Sequence, residues 1–167
     1  QGGEAASRNS VIEHMRGDFV LWLDDDDCLT PGALESQLAA LEKNPDADVI
    51  YANLIRTDES LNKLKDYVYK EISKELRPYV LLFYSPFPNG SSLIRKDIFS
   101  RCGKYDESMA VAPDYEFWTR AVLGNASFCH NNDAIYLYRG HAANAALDNE
   151  DALFHEMNCR IINHILE

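Results

Sequence analysis

Four consecutive aspartates, Asp24 to Asp27, follow the apolar run FVLWL (19–23) and are closed off by Thr30-Pro31-Gly32. Adjacent carboxylates repel and raise one another's pKa, so such a run needs a cation or full solvation. Hard divalent ions such as Mg²⁺ or Mn²⁺ take oxygen ligands, and one or two carboxylates suffice when phosphate oxygens complete the shell. In an extended segment, side chains at i and i+2 point the same way, which pairs Asp24 with Asp26 and Asp25 with Asp27. The competing explanation is a solvated acidic turn in which Asp27 or Thr30 caps the next helix.

Two other metal motifs fail on spacing. An EF-hand loop needs Gly at its sixth position, and a count from Asp24 reaches Leu29 there. The D-x-D-x-T pattern of haloacid-dehalogenase-like phosphatases requires Thr where Cys28 stands.

Elements must hold these residues. FVLWL reads as a short strand buried on both faces. Thr30 and Pro31 read as N-cap and first residue of a helix whose apolar stripe is Leu34, Leu38 and Leu41, ending at Asn44-Pro45. DVIYANL (48–54) is the next strand, so the order is strand–helix–strand, the unit of parallel sheets with right-handed crossovers. Ligands in open α/β sheets gather at the carboxyl ends of strands, where the aspartates fall.

Upstream, residues 4–16 suit a helix with Ala5, Ile12 and Met15 near one face and Gly17 at its end. Residues 56–74 are charged and read as a surface excursion, and SPFPNGSS (85–92) is a loop. SLIRKDIF (92–99) reads as a short strand running into a helix, and AIYLYR (134–139) as a strand. PDYEFWTRAVLG (113–124) is a helix with Pro113 and Asp114 at its start, and Trp118 is expected in the core rather than stacked on a sugar. A last helix spans 149–166, with Leu153, Met157, Ile161 and Ile165 at helical spacing.

The 167 residues suffice for one buried core, and 46% hydrophobic content argues for a globular chain. A formal charge of −11, from 27 acidic and 16 basic residues, argues against nucleic acid and anionic lipid as partners. A phosphate-bearing ligand then needs a metal to screen it. Cys28, Cys102, Cys129 and Cys159 form no CxxC pair, so they are expected to be reduced thiols, most of them buried, in a cytoplasmic protein. No apolar run is long enough for a membrane span.

With its flanks, ASRNSVIEHMRGDFVLWLDDDDCLTPGAL (6–34) resembles the middle of a family 2 glycosyltransferase of the GT-A fold. That family reads A-R-N-x-G, x-G-x-hydrophobic, L-D-x-D-D and P-x-x-L in order, and Arg8-Asn9, Gly17-Asp18, Leu23 to Asp27 and Pro31 fill those places. NGSSLIRKDIFSRCGKYDE (89–107) is similar to its segment leading to G-x-F/Y-D-E, PDYEFWTRA (113–121) to its E-D-x-x-L-W-x-R helix, and YRGH (138–141) to its Y-R-x-H. Ser10-Val11 departs from the usual small pair. The family's opening half, with its P-x-Y-N strand and D-D-x-S turn that hold base and ribose, has no counterpart, so the chain is expected to start just after it.

The resemblance implies an α/β, GT-A-like (Rossmann-like) mixed, largely parallel sheet flanked by helices and truncated on its N-terminal side. It implies one partial domain: a βαβ unit with the D-x-D motif (1–55), a variable excursion (56–89), an acceptor-side and base region (90–145) and a C-terminal helix (146–167). It further implies transfer of a sugar, with inversion, from a nucleotide-sugar to a glycan or lipid-linked hydroxyl, with Mn²⁺ or Mg²⁺ as cofactor. Metal ligands would be Asp24 and Asp26, with Asp27 close by and His141 as a further candidate, while Asp25 is expendable. Asp114 would be the general base as well as a helix cap, and Glu116 is the alternative carboxylate. Arg8 and Arg139 would meet the donor together with Asp24, and Gly90 and Ser91 would lie in the acceptor-side loop. The alternative is an inactive fragment or glycan-binding module. Lacking the opening half, the isolated chain is expected to expose a sheet edge and to self-associate, for example as a homodimer.

Overall fold

The structure, a computed structural model, describes residues 3–109 and 112–140, together with the helical residues Cys159 and Asn163. One strand organises it. β3 (Val49–Thr57) opens with Val49, Ile50, Tyr51 and Ala52, all fully buried. Alternate side chains of a strand face opposite sides, so both sides of β3 are covered. Val49 and Tyr51 enter the larger core, while Ile50 and Ala52 face the opposite layer.

β3 pairs antiparallel with β5 (Ser92–Arg95) on one side and parallel with β6 (Phe128–Arg139) on the other. β1 (Phe19–Leu21) lies outside β5 and β2 (Cys28–Leu29) outside β6, both antiparallel, so the order is β1-β5-β3-β6-β2. β4 (Lys63–Tyr67) folds back on the far end of β3. The larger core also takes side chains from α1 (Glu4–His14), α4 (Ile98–Arg101) and α5 (Pro113–Leu123), and is aromatic. Phe87 stacks on Phe128 at 4.1 Å, and Trp118 meets both rings edge-on, which places Trp118 in the core as expected. α3 (Arg77–Val80) packs on α5, and α2 (Ala33–Lys43) covers the opposite face of the sheet.

Several expectations are corrected. β1 and β3 run in the same direction but do not pair. β5 lies between them antiparallel to both, and among the described residues only β3 and β6 pair in parallel. Among the described residues β1 is an edge strand, with Phe19, Val20 and Leu21 half-buried and Leu23 51% exposed, so FVLWL is not buried on both faces as expected. α2 starts two residues later than Thr30-Pro31 implies, after Gly32 at φ 77°, because Thr30 instead extends the β2–β6 ladder and donates its hydroxyl to the Ala134 carbonyl. Its leucine stripe is inverted too: Leu34 and Leu38 are 51% exposed, and the buried side chains are Ala33 and Gln37. Gln37 reaches the sheet because its amide donates to the Ile50 and Ser91 carbonyls and accepts from Asn131.

Within the charged stretch after β3, Lys63–Tyr67 fold back on β3 as the second strand of a surface hairpin. β4 carries mostly exposed residues, which hides its alternation. No cysteine is fully buried, and all four are free thiols. The helix expected over 149–166 lies outside the described residues, apart from Cys159 and Asn163.

Candidate active site

The aspartates form a tight turn between β1 and β2, closed by the Asp27 N–H donating to the Asp24 carbonyl at 3.2 Å. The run is therefore not extended, and the i, i+2 pairing argued from strand geometry does not describe it. Asp24 and Asp25 are exposed, Asp26 is half-buried and Asp27 is buried. Asp27 Oδ1 accepts from the Arg139 N–H at 2.7 Å. Burial pushes the Asp27 carboxyl up, the bonds from Arg139 and Tyr136 pull it down, and the Asp26 and Asp24 charges push it up again.

Tyr136 is the second anchor. Its hydroxyl accepts from the Asp24 N–H at 3.4 Å and bonds to the Asp27 carboxylate. Gly90 makes this possible: a Cβ there would stand 2.4 Å from the Tyr136 ring.

Arg8, only 7% exposed, projects from α1 into the same region. Its guanidinium lies 3.5 Å from Asp24 Oδ1, pairs with Glu4, and sits over the rings of Trp22 and Tyr105 at 5.7 and 5.6 Å. Asn89, with its amide oxygen toward Arg8, accepts from both terminal nitrogens at 3.1 Å. Asn9 fixes the Tyr105 backbone, donating to its carbonyl at 2.8 Å and accepting from its N–H at 3.0 Å.

Asp114 stands in the first turn of α5, following Ala112 at φ 48°. Burial pushes its carboxyl up; the Arg8 charge and the first-turn N–H groups of Tyr115 and Asp114 lower it, and Asp24 raises it. Asp114 thus lies in the first turn of a helix whose N-cap is Ala112, and it shares the field of Arg8 and the aspartate turn. Glu116, the alternative carboxylate, is buried and committed to Arg120, whose guanidinium also donates to the Cys102 and Lys104 carbonyls.

A family model described as "Glycosyltransferase like family 2" matches residues 2–149. The chain belongs to that family.

Among curated relatives of this family 2 chain, an uncharacterized glycosyltransferase of Methanocaldococcus jannaschii is 31% identical over 142 residues, covering 82% of this chain and 47% of the relative. One from Rickettsia typhi is 29% identical over 147 residues, covering 85% and 46%. The chain thus spans less than half the length of these relatives. Among solved structures, S. aureus TarS 1-349 in complex with UDP-GlcNAc superposes with a TM-score of 0.64 at 20% identity, covering 84% of this chain and 40% of that one. The complex with UDP also gives 0.64. This likeness shows the fold: a GT-A-type mixed sheet with flanking helices.

Of the residues expected at the family 2 site, the structure brings together Arg8, Asp24 and Asp114, with Asp27, Gly90 and Arg139 in the adjoining support. Arg139 contributes its main-chain N–H to Asp27, and its guanidinium lies 3.6 Å from Cys28 Sγ. Ser91 does not face the site. It is fully buried, with its hydroxyl donated to the Ala52 carbonyl and its own carbonyl bonded to Ala52 and Gln37. His141 lies outside the described residues. Tyr136, Asn89 and Glu4 escaped the sequence reading; only the i, i+2 tyrosine pair in AIYLYR hinted at a shared face for Tyr136 and Tyr138.

Among the described residues, no three His, Cys, Asp or Glu side chains converge as a ready metal cage. The donors nonetheless suit Mg²⁺ or Mn²⁺, which accept one or two hard carboxylate oxygens beside phosphate oxygens. Asp24 and Asp26 supply such oxygens at the surface of a turn anchored from below.

Proposed function

We propose that this chain carries the metal- and base-bearing part of an inverting glycosyltransferase that moves a sugar from a nucleotide-sugar to a hydroxyl of a glycan or lipid-linked acceptor. The observation that carries this reading is the buried Arg8 guanidinium, in contact with Asp24 and within the field of Asp114. A family motif residue thereby joins the two families of carboxylates that the chemistry needs.

In this reading Asp114 takes the proton of the acceptor hydroxyl as its oxygen bonds to the anomeric carbon. The bond from that carbon to the diphosphate oxygen breaks on the opposite face, and its electron pair leaves with the nucleoside diphosphate. Arg8 and Arg139 offer positive charge to that diphosphate. Asp24 and Asp26 would hold Mg²⁺ or Mn²⁺, with Asp27 as the buried support of their turn. Such an ion, when bound, supplies Lewis-acid stabilisation of the leaving group. A net charge of −11 supports the need for it, since the chain otherwise repels phosphate.

UDP is the first donor probe, because similar folds have been solved with UDP and UDP-GlcNAc. Among the described residues no helix is long and apolar enough to cross a membrane, and a cytoplasmic setting accords with nucleotide-sugar use. Titration calorimetry of UDP with Mn²⁺ tests the assignment on the intact protein and on Asp26→Ala. We expect binding to weaken by more than about tenfold in the variant. Equal binding by both proteins would sink the metal assignment.

A further inference from the structure

After β4 the chain turns its apolar side chains outward. From Tyr79 to Tyr84 every backbone N–H donates to a carbonyl three or four residues earlier, so the helical path of α3 runs on past Val80. Positions 76, 79, 80 and 83 of a helix share one face. Here that face carries Leu76, Tyr79, Val80 and Phe83, and Leu76, Tyr79 and Phe83 are 55%, 65% and 72% exposed. The inward face holds the segment in place: Arg77 donates to the Phe128 carbonyl at 2.9 Å, and the Leu81 carbonyl accepts from the Tyr115 hydroxyl on α5. Arg77 and Leu81 are both buried, so the usual arrangement is reversed, with a cation inside and rings outside.

The patch continues across a cleft beyond β4. Val68 and Tyr84, 69% and 54% exposed, line it together with Tyr67 and Lys70. The Val68 side is fastened to the sheet: Asn53 accepts from the Tyr69 N–H at 2.8 Å, and Tyr51 donates to the Lys70 carbonyl at 2.7 Å. Single apolar side chains on a surface are ordinary, but Val68, Leu76, Tyr79, Phe83 and Tyr84 stand on adjoining turns and form one face. The charge of this face is the reverse of the molecule's. Residues 63–84 hold five basic and three acidic side chains, in a chain with 27 acidic against 16 basic. Asp66 pairs with Lys63, and Glu71 pairs with Arg77 and accepts from the His130 N–H. That leaves Lys65, Lys70 and Lys74, all exposed, against Glu75 alone in the segment. Lys65 is held 4.7 Å from the Tyr67 ring, at the same cleft.

We propose that this face docks on an anionic membrane surface, with Val68, Leu76, Tyr79, Phe83 and Tyr84 entering the boundary between headgroups and acyl chains and Lys65, Lys70 and Lys74 meeting lipid phosphates. Aromatic rings with a polar tip settle at the headgroup level, and lysine stems lie along apolar surface while their ammonium groups reach the phosphates. Composition alone argued against anionic lipid, because the chain carries −11. Salt screens charges more than about 8 Å apart at physiological strength, so the lysines at the contact decide, not the distant carboxylates. The proposal stands apart from the glycosyltransferase reading, and its test needs no sugar donor.

Co-sedimentation of the intact protein with phosphatidylcholine vesicles, with and without phosphatidylglycerol, tests this. Binding should require the anionic lipid and weaken at least about tenfold in the double variant Lys70→Gln, Lys74→Gln. It should also weaken at least about tenfold in the double variant Tyr79→Ser, Phe83→Ser, whose melting temperature stays unchanged. In Phe83→Trp the added indole emission should shift to the blue on the same vesicles, which reports contact at this face and not elsewhere in the chain. No binding to anionic vesicles overturns the proposal, as does equal binding by the unaltered protein and both double variants, or binding that leaves the Phe83→Trp emission unmoved. A lower melting temperature in Tyr79→Ser, Phe83→Ser overturns it in favour of another segment of the chain covering the face. Dissociation of a dimer by that variant, seen in sedimentation velocity without vesicle binding, overturns it in favour of a second copy.

Discussion

Arg8 is one buried cation facing three carboxylates, Glu4, Asp24 and Asp114, and it cannot neutralise all of them. Asp114 therefore keeps a raised pKa despite Arg8, because burial outweighs the attraction. A carboxyl raised in the folded state is more stable protonated. Its destabilising effect is absent below the unfolded value, about 3.9, and grows as pH rises through the folded value. The same residue must be ionised to act as a base, so activity should fall on the acid side at a higher pH than an ordinary aspartate would set. Asp114→Asn is then expected to lower turnover about 10²- to 10⁴-fold while raising the melting temperature at pH 7. That gain should vanish near pH 4, as scanning calorimetry at the two pH values would show; a lower melting temperature at pH 7 would contradict the account. Asp24, Asp114 and Arg8 were legible in the sequence because family motifs carry them. Tyr136 and Asn89 were not, since each works through a contact between segments far apart in the chain.

Strand β6 reaches the aspartate turn only where the loop before β5 has no side chain. Gly90→Ala puts a Cβ against the Tyr136 ring, so the ring must shift and its hydroxyl must leave Asp24 and Asp27. Overpacking of this kind costs about 1–3 kcal/mol. We expect that loss in chemical denaturation together with weaker Mn²⁺-dependent UDP binding; an unshifted midpoint would show that the ring moves freely. β1, β5 with α4, and α5 were legible as elements because each joins an apolar run or stripe to clear turn residues. α2 was legible as a helix but not in its facing, since a buried glutamine does the work expected of leucine. The order of strands was hidden as well. Nothing in FVLWL or SLIR states that β5 will slip between β1 and β3.

Among the described residues the molecule is a mixed sheet covered on both faces, with β1 at one edge. Among the described residues β1 pairs only with β5, which leaves its outer edge open in the sheet. An open edge and exposed apolar side chains such as Leu23, Leu34 and Leu38 favour association between copies. The isolated 167-residue chain should therefore sediment as a dimer or larger species, with dissociation on dilution; a monodisperse monomer at micromolar concentration would refute this. The net charge of −11 opposes such contacts at low salt, so association should strengthen as salt is added.

The bond from the Arg139 main-chain N–H to Asp27 joins the aspartate turn to the last residue of β6. Any ligand that draws the Asp27 carboxylate toward itself must stretch that bond, and the strain falls on a backbone amide of the sheet rather than on a loop. The site therefore contains its own gauge. We expect the Arg139 amide resonance to shift when a ligand binds at the turn, without any label on that ligand.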